Sequence, residues 1–351
     1  MKPFLKELAA KPLPWLQSND STSGIAISSR IRLARNIKGR QFPYTLDSDS
    51  KVDVIDEVFE TIENLPFRKR INKYELENLT DREKRILLER KIITYDSIVS
   101  EECGIAVEKN EKYSILINED DHLHIQALQA GLDLEKCWDA VEAIDDALAT
   151  KLDYSFSNDF GYLTSSPANV GTGMKASVYL DLTASLLTGQ LPGIKQACKV
   201  FGHVFMGDNN EDDNYCGTRF MISSRKTLGL TERDVIREFN GFIEEVIKSE
   251  MKARQKLIAD SPEKLLNHIS RAFGNLKYSC LLSEEEAWEL LYTLRTGTEL
   301  SLFDQITAED INRLLVMCGD SHLQNALEAS LDLESLEIAR AEFFKKQLNL
   351  N

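Results

Sequence analysis

The chain has 351 residues, 42% of them apolar and 28% charged, and its 57 acidic against 42 basic side chains leave a formal net charge of −15. That length and apolar content can build a core without disulfides or a structural metal, while so acidic a surface repels nucleic-acid backbones and leaves room for no more than a local basic pocket. No apolar run approaches the ~20 residues of a membrane helix, residues 1–17 lack the apolar centre of a signal peptide, and the six cysteines contain no CxxC pair, so they read as small buried hydrophobes of a cytoplasmic protein.

In chain order, residues 1–23 form an extension with Pro3, Pro12 and Pro14 that ends in a polar run. Residues 47–65 carry helical apolar spacing through Val52, Ile55, Val58, Phe59 and Ile62. Thr80-Asp81-Arg82-Glu83 is a capping-box pattern, predicting a helix to about Lys91. Strand-like runs follow at 104–107 and 113–117, then an amphipathic helix over 133–152 with Trp138, Val141, Ile144 and Leu148 on one side, and a short strand at 161–164. The small apolar stretch 174–187 predicts a buried helix, and 199–206 and 218–223 predict two strands joined by an acidic loop holding Asp208, Glu211, Asp212 and Asp213, which reads as a solvated connection before it reads as a lid. Helix starts follow at Thr231, Ser261, Ser283 and Thr307, and beyond about residue 255 nearly everything reads as helix. An extension over 1–23, a mixed α+β domain over 24–255 and a helical domain over 256–351 are expected.

Three segments carry chemistry. In Ser28-Ser29-Arg30-Ile31-Arg32-Leu33-Ala34-Arg35-Asn36, apolar residues alternate with polar ones, which puts Arg30 and Arg32 on one face of an extended strand. Adjacent guanidiniums repel unless an anion lies between them, and their forked donors suit phosphate; pairing with surface carboxylates is an equal alternative. In Asn118-Glu119-Asp120-Asp121-His122-Leu123-His124, three successive carboxylates at a strand end are candidates for a general base or for gripping a cationic substrate, against the plainer reading of an acidic turn. The His-x-His there is a weak zinc signal without a third ligand. In the segment 164–178, a loop with Gly171 and Gly173 followed by Lys175 on an expected helix makes a plausible anion cradle without P-loop spacing, or a turn that needs glycine for its backbone angles.

Taken in order, these segments resemble the ATP:guanidino phosphotransferases, the phosphagen-kinase family, and within it the bacterial protein-arginine kinase branch. The stretch 28–36 followed by Phe42-Pro43 resembles the family's opening signature; Asn118 to Gln126 its NEEDH-x-R-I-Q segment; Gly161-Tyr162-Leu163-Thr164 with Asn169-Val170-Gly171-Thr172-Gly173 its GYLTSCPTNVGTG loop; and Thr227-Leu228-Gly229 the stretch before its late helix. The resemblance implies an antiparallel sheet flanked by helices, a helical C-terminal dimerisation domain, and transfer of the γ-phosphoryl of Mg2+-ATP to arginine guanidinium groups of proteins, with an activator protein allowed as a further partner. It assigns catalytic roles to Asp120 and Glu119, and ATP binding to Ser28, Ser29, Arg30, Ile31, Arg32, Lys91, His124, Lys175, Ala176, Ser177, Val178 and Tyr179, with no dedicated metal ligands. Several positions depart from the family pattern: His124 and Lys175 replace arginines, Phe201 stands where an arginine is expected, Lys91 where the branch has a nucleotide-contacting histidine, Asp120 where the family has Glu, and Ser166 where it has Cys. Lys matches a point charge but not a fork. The alternative implied by those losses is a degenerate member acting as a scaffold or regulatory partner; a kinase of free arginine fits less well, because the helical tail resembles the protein-arginine branch.

Overall fold

The computed structural model describes residues 1–16, 24–100, 102–207, 218–304 and 306–348; the acidic loop at 208–213 and Cys216 lie outside them. In chain order the elements are α1 (Pro3–Ala10), β1 (Ala26–Arg35), α2 (Ser48–Glu63), β2 (Ile71–Glu75), α3 (Asp81–Glu89), α4 (Tyr95–Val99), β3 (Gly104–Glu108), β4 (Ser114–Ile117), β5 (Leu123–Ala130), α5 (Leu134–Ala149), β6 (Phe156–Ser157), β7 (Gly161–Tyr162), β8 (Met174–Asp181), α6 (Thr183–Leu187), α7 (Leu191–Phe201), β9 (His203–Gly207), β10 (Arg219–Ser224), α8 (Glu232–Asp260), α9 (Pro262–Tyr278), α10 (Glu284–Glu299), α11 (Ala308–Val316), α12 (Asp320–Ala326) and α13 (Leu333–Leu348). Eight strands form one antiparallel sheet in the order β2-β3-β4-β5-β1-β8-β10-β9, so β1 lies between β5 and β8 near its middle.

Strand alternation gives this sheet one apolar and one polar face at its centre. Ile31 and Leu33 of β1, Ile125 and Ala127 of β5, Ala176, Val178 and Leu180 of β8 and Ile222 of β10 point into one core with Val54, Val58 and Ile62 of α2, Val141 and Leu148 of α5, and Ile236 and Phe239 of α8. Each such aliphatic side chain contributes about 1.5–3 kcal/mol by leaving water, and together they hold the centre of the sheet rigid under its polar face. Thr80 and Thr231 each close a capping box on Glu83 and Asp234, so α3 and α8 start where the sequence says they should.

Two expected elements are corrected. Residues 174–187 are not one helix: β8 occupies Met174–Asp181 and only Thr183–Leu187 is helical. Lys175, Ser177 and Tyr179 alternate with Ala176, Val178 and Leu180, a period of two that the small apolar composition hides. Residues 199–206 are not one strand: α7 runs to Phe201, Gly202 adopts φ 76° and ends it in the left-handed conformation, and β9 starts only at His203.

A second core joins parts far apart in sequence. Leu13, Trp15 and Leu16 pack with Ile27 of β1 and with Leu265, Leu291, Leu314, Leu315 and Phe344 of the C-terminal helices. Trp15 stacks on Trp288 with ring centroids 6.3 Å apart. α8 passes residue 255 without a break, burying Glu250, Ala253, Arg254 and Leu257 on the way.

Candidate active site

The polar face of the sheet is where the basic residues meet. Strand register sets Arg32 opposite Lys175 on one side and Gln126 on the other, Arg30 opposite Ser177, Ser28 opposite Tyr179, and Ala34 opposite His124. Arg30, Arg32, His124, Lys175, Ser177 and Tyr179 therefore share the face that the apolar core does not use. Ser29, Ile31, Ala176 and Val178 do not: the Ser29 hydroxyl donates to Gly131 O at 2.8 Å and accepts from Asp133 N at 3.0 Å, and the other three side chains are core. The Ser28 hydroxyl is buried without a hydrogen-bond partner among the described residues.

Lys91 reaches the same face from the turn after α3. It holds φ at 60°, its carbonyl accepts from Gln126 Nε2 at 3.0 Å, and its ammonium lies 3.7 Å from the Tyr179 ring centroid and 4.9 Å from that of Trp15. Phe201 is not brought there: it ends α7 against Phe242, 5.4 Å between centroids, beside the edge strand β9. A cavity of about 980 Å³ opens at that place, lined by Ile194, Phe201, His203 and Phe242 among others and by no residue of the polar face.

The carboxylate turn adjoins the cations. Asn118 leaves β4 with φ 60°, a conformation that Asn tolerates better than most residues. Its amide donates to Lys51 O at 2.8 Å and Glu102 O at 3.1 Å, and its backbone N–H to His122 O at 3.0 Å. The three carboxylates have separate surroundings. Glu119 accepts from Arg32 Nη2 and from the Thr94 hydroxyl, with His124 Nδ1 at 2.6 Å. Asp121 is fully buried and accepts from Asn36 Nδ2 and Ser165 N, each at 2.6 Å, with His124 Nε2 at 3.3 Å. Asp120 is exposed at the mouth. His122 is structural, its Nδ1 accepting from Ile37 N at 3.0 Å. Among the described residues no group of three His, Cys, Asp or Glu is arranged to hold a metal ion.

Electrostatics sharpen this arrangement. Burial, and then the neighbouring Arg30, push the Arg32 guanidinium down to about 10. Burial together with Arg30 and Arg32 also lowers Lys175. Burial and then Arg32 push His124 down to about 4, so its ring is neutral at pH 7. Burial alone would raise Asp121, but His124, Ser165 and Asn36 outweigh it and keep the carboxyl below its ordinary value. Cations crowded closely enough to depress one another are stabilised by a polyanion laid across them.

The loop before β8 is not a helix N-terminus, because Lys175 stands on a strand. Gly171 at φ 115° and Gly173 at φ 63° serve backbone approach instead: a Cβ at Gly171 would run into Thr227 O, and one at Gly173 would lie 2.6 Å from Ala34 O. Thr94 and Asn36, which hold Glu119 and Asp121, escape a reading of the sequence because their partners lie 25 and 85 residues away. The Thr94–Ser97 capping box that opens α4 was the available local signal for the first.

Residues 53–253 match the description ATP:guanido phosphotransferase, C-terminal catalytic domain, and residues 262–351 match protein-arginine kinase McsB C-terminal domain. The chain belongs to the ATP:guanido phosphotransferase family. It is 34% identical over 337 residues to a protein-arginine kinase of Pelotomaculum thermopropionicum, covering 95% of each chain. It is 32% identical over 348 residues to one of Halothermothrix orenii, covering 99% of each. In fold it is similar to the duplicated taurocyamine kinase of Schistosoma mansoni (TM-score 0.62, 21% identity, 88% of this chain and 41% of that one) and to lombricine kinase (TM-score 0.59, 20% identity, 72% and 71%).

Proposed function

We propose that this chain is a protein-arginine kinase that moves the γ-phosphoryl of ATP to an arginine side chain of a protein. The observation that carries the reading is the juxtaposition of Arg30, Arg32 and Lys175 on one rigid sheet face with the Glu119-Asp120-Asp121 turn at its edge. In phosphoryl transfer the protein positions the reactants and neutralises charge. Arg30, Arg32 and Lys175 would take the phosphates, with Lys91 at the Tyr179 end. Arg32 has donors enough to keep Glu119 and still reach a phosphate oxygen. Glu119 and Asp121 are committed to Arg32, His124, Thr94 and Asn36, so they orient the shell. Asp120, exposed beside them, is the group free to hold the arriving guanidinium and accept its proton. Mg2+ would enter with the nucleotide: its usual ligands are phosphate oxygens and water, and among the described residues no three His, Cys, Asp or Glu side chains are grouped to cage it.

The remaining parts of the reading belong with it. The catalytic unit would span 24–255 and the helical unit 256–351. No helix among the described residues is long and apolar enough to cross a membrane, which accords with a cytoplasmic enzyme acting on proteins. A second copy as partner rests on the family resemblance, since Leu265, Leu291, Leu314 and Leu315 already fill the chain's own core. The test is to incubate the purified protein with Mg2+-ATP and an arginine-rich protein and look for acid-labile phosphoarginine by mass spectrometry. Label present with wild type and lost with Asp120→Asn is the expected result; no label with any variant, the fold being intact, would leave the scaffold reading.

A further inference from the structure

The end of α3 ties the C-terminal helices to the polar face. Three successive residues leave it in three directions. Glu89 turns toward α12, where its carboxylate accepts from Ser321 N at 2.8 Å and His322 N at 3.1 Å and meets His322 Nδ1 at 2.5 Å. Gly319 lies so close that a Cβ there would run into that carboxylate. Arg90 is buried, donating to Glu111 at 2.8 and 2.5 Å and to the carbonyls of Lys11 at 3.0 Å and Pro12 at 3.1 Å, with His322 Nε2 3.5 Å from its Nη1. Lys91 turns back over the sheet with φ 60°, held by Gln126 and Tyr179. Arg82, two turns earlier on α3, donates to Gln324 Oε1 of α12 at 3.3 Å and to Ala329 O just beyond that helix at 2.8 Å, so the α3–α12 contact has a second point.

A non-glycine residue at positive φ is strained and persists only where its surroundings over-determine it. The surroundings of Lys91 include both anchors just before it. We propose that Glu89 is a positioning residue: by clamping α12 against the end of α3 it fixes the Arg90–Lys91 turn, places the Lys91 ammonium over the polar face, and so couples the C-terminal helices to nucleotide affinity. The inference rests on the reading of that face as the nucleotide site. Nothing in it requires Glu89 to touch the nucleotide.

The experiment is a double-mutant cycle on the full chain, with Mg2+-ATP affinity read by calorimetry and KM and kcat by phosphoarginine formation. Glu89→Ala should weaken ATP binding about fivefold and raise the KM for ATP while changing kcat less than twofold. In a Lys91→Met background the same change should cost almost nothing further, because its effect runs through Lys91. Gly319→Ala, which pushes α12 off from the other side, should act in the same direction, and it carries the test with Glu89→Gln if Glu89→Ala does not fold. Equal losses in both backgrounds, or unchanged affinity in every Glu89 and Gly319 variant while Arg32→Ala weakens binding at least tenfold, would overturn the inference. Unchanged affinity in Arg32→Ala would instead overturn the reading of the face itself.

Discussion

Replacing Arg32 tests the polar face most directly. Its guanidinium sits between Arg30 and Lys175 and donates to Glu119, whose side chain is only 6% exposed. A charge-assisted hydrogen bond is worth about 1.5–3 kcal/mol, and tenfold in affinity is about 1.4 kcal/mol, so Arg32→Ala should weaken Mg2+-ATP binding by roughly 10- to 150-fold at pH 8. Arg32→Lys should fall between, keeping the charge and losing the fork. The structure adds a second signature. His124 is held down to about 4 by burial first and by Arg32 second. Without Arg32 the second cause disappears and Glu119 is left facing an uncharged ring. The His124 pKa should rise, and below it the imidazolium should partly replace the missing cation. The ATP defect of Arg32→Ala should therefore shrink as pH falls from 8 to 6. Calorimetric titrations at pH 6, 7 and 8, with thermal unfolding as a check on the fold, measure both effects. A Kd within threefold of wild type at pH 8 would refute the placement of the phosphates, and a defect independent of pH would refute the role given to His124.

Asp120 is one methylene shorter than the family's Glu, and misplacing a reacting group by about 1 Å can cost on the order of a hundredfold, so Asp120→Glu should raise turnover and Asp120→Asn abolish it, with ATP affinity nearly unchanged in calorimetry. His124→Gln removes a group whose folded pKa lies below its unfolded value of about 6.5. The unfolded chain takes up that proton first as pH falls, so wild-type stability carries a loss between pH 6.5 and 4 that the variant should lack. Comparing urea midpoints of the two proteins isolates it, because Glu284 and Glu299, raised to about 7 chiefly by burial, act with the opposite sign in both. Gly171→Ala meets both a positive φ and the Thr227 carbonyl, and should lower stability by about 2–4 kcal/mol in the same urea assay.

Local signals carried through to the structure wherever the answer lies within a few residues. The alternation around Ile31 and Leu33 puts Arg30 and Arg32 on one face, and the threonines at 80 and 231 open their helices. Composition misled where it hides period. Ala176, Ser177 and Val178 look like the interior of a helix, yet β8 lies between β1 and β10, and its alternation becomes plain only once Val178 faces the core and Tyr179 the site. The assignment of Ser29, Ile31, Ala176 and Val178 to ATP followed the motif as a block, whereas a strand delivers only every second side chain to a ligand. The partners of Glu119 and Asp121 come from α4 and from the end of β1, and such contacts between distant segments leave no mark in local patterning.

The altered positions differ in what their places in the fold let them do. Phe201 ends α7 against Phe242, away from Arg30, Arg32 and Lys175, so on the proposed reading its position is not counted in the phosphate shell. Lys175 keeps a charge where register sets it beside Arg32, giving up bidentate geometry but little Coulomb attraction. His124 is the substitution that removes charge, yet it is also the group that spans Glu119 and Asp121 and packs on Arg32. Burial and Arg30 already depress Arg32, and burial with Arg30 and Arg32 depresses Lys175, so a further buried cation at 124 would add to that repulsion whenever no nucleotide is bound. A neutral ring relieves the empty site and weakens the grip on phosphate by the same change. On the proposed reading, this chain therefore differs from an arginine-rich shell first in nucleotide affinity, while its rate depends on where Asp120 can place the guanidinium.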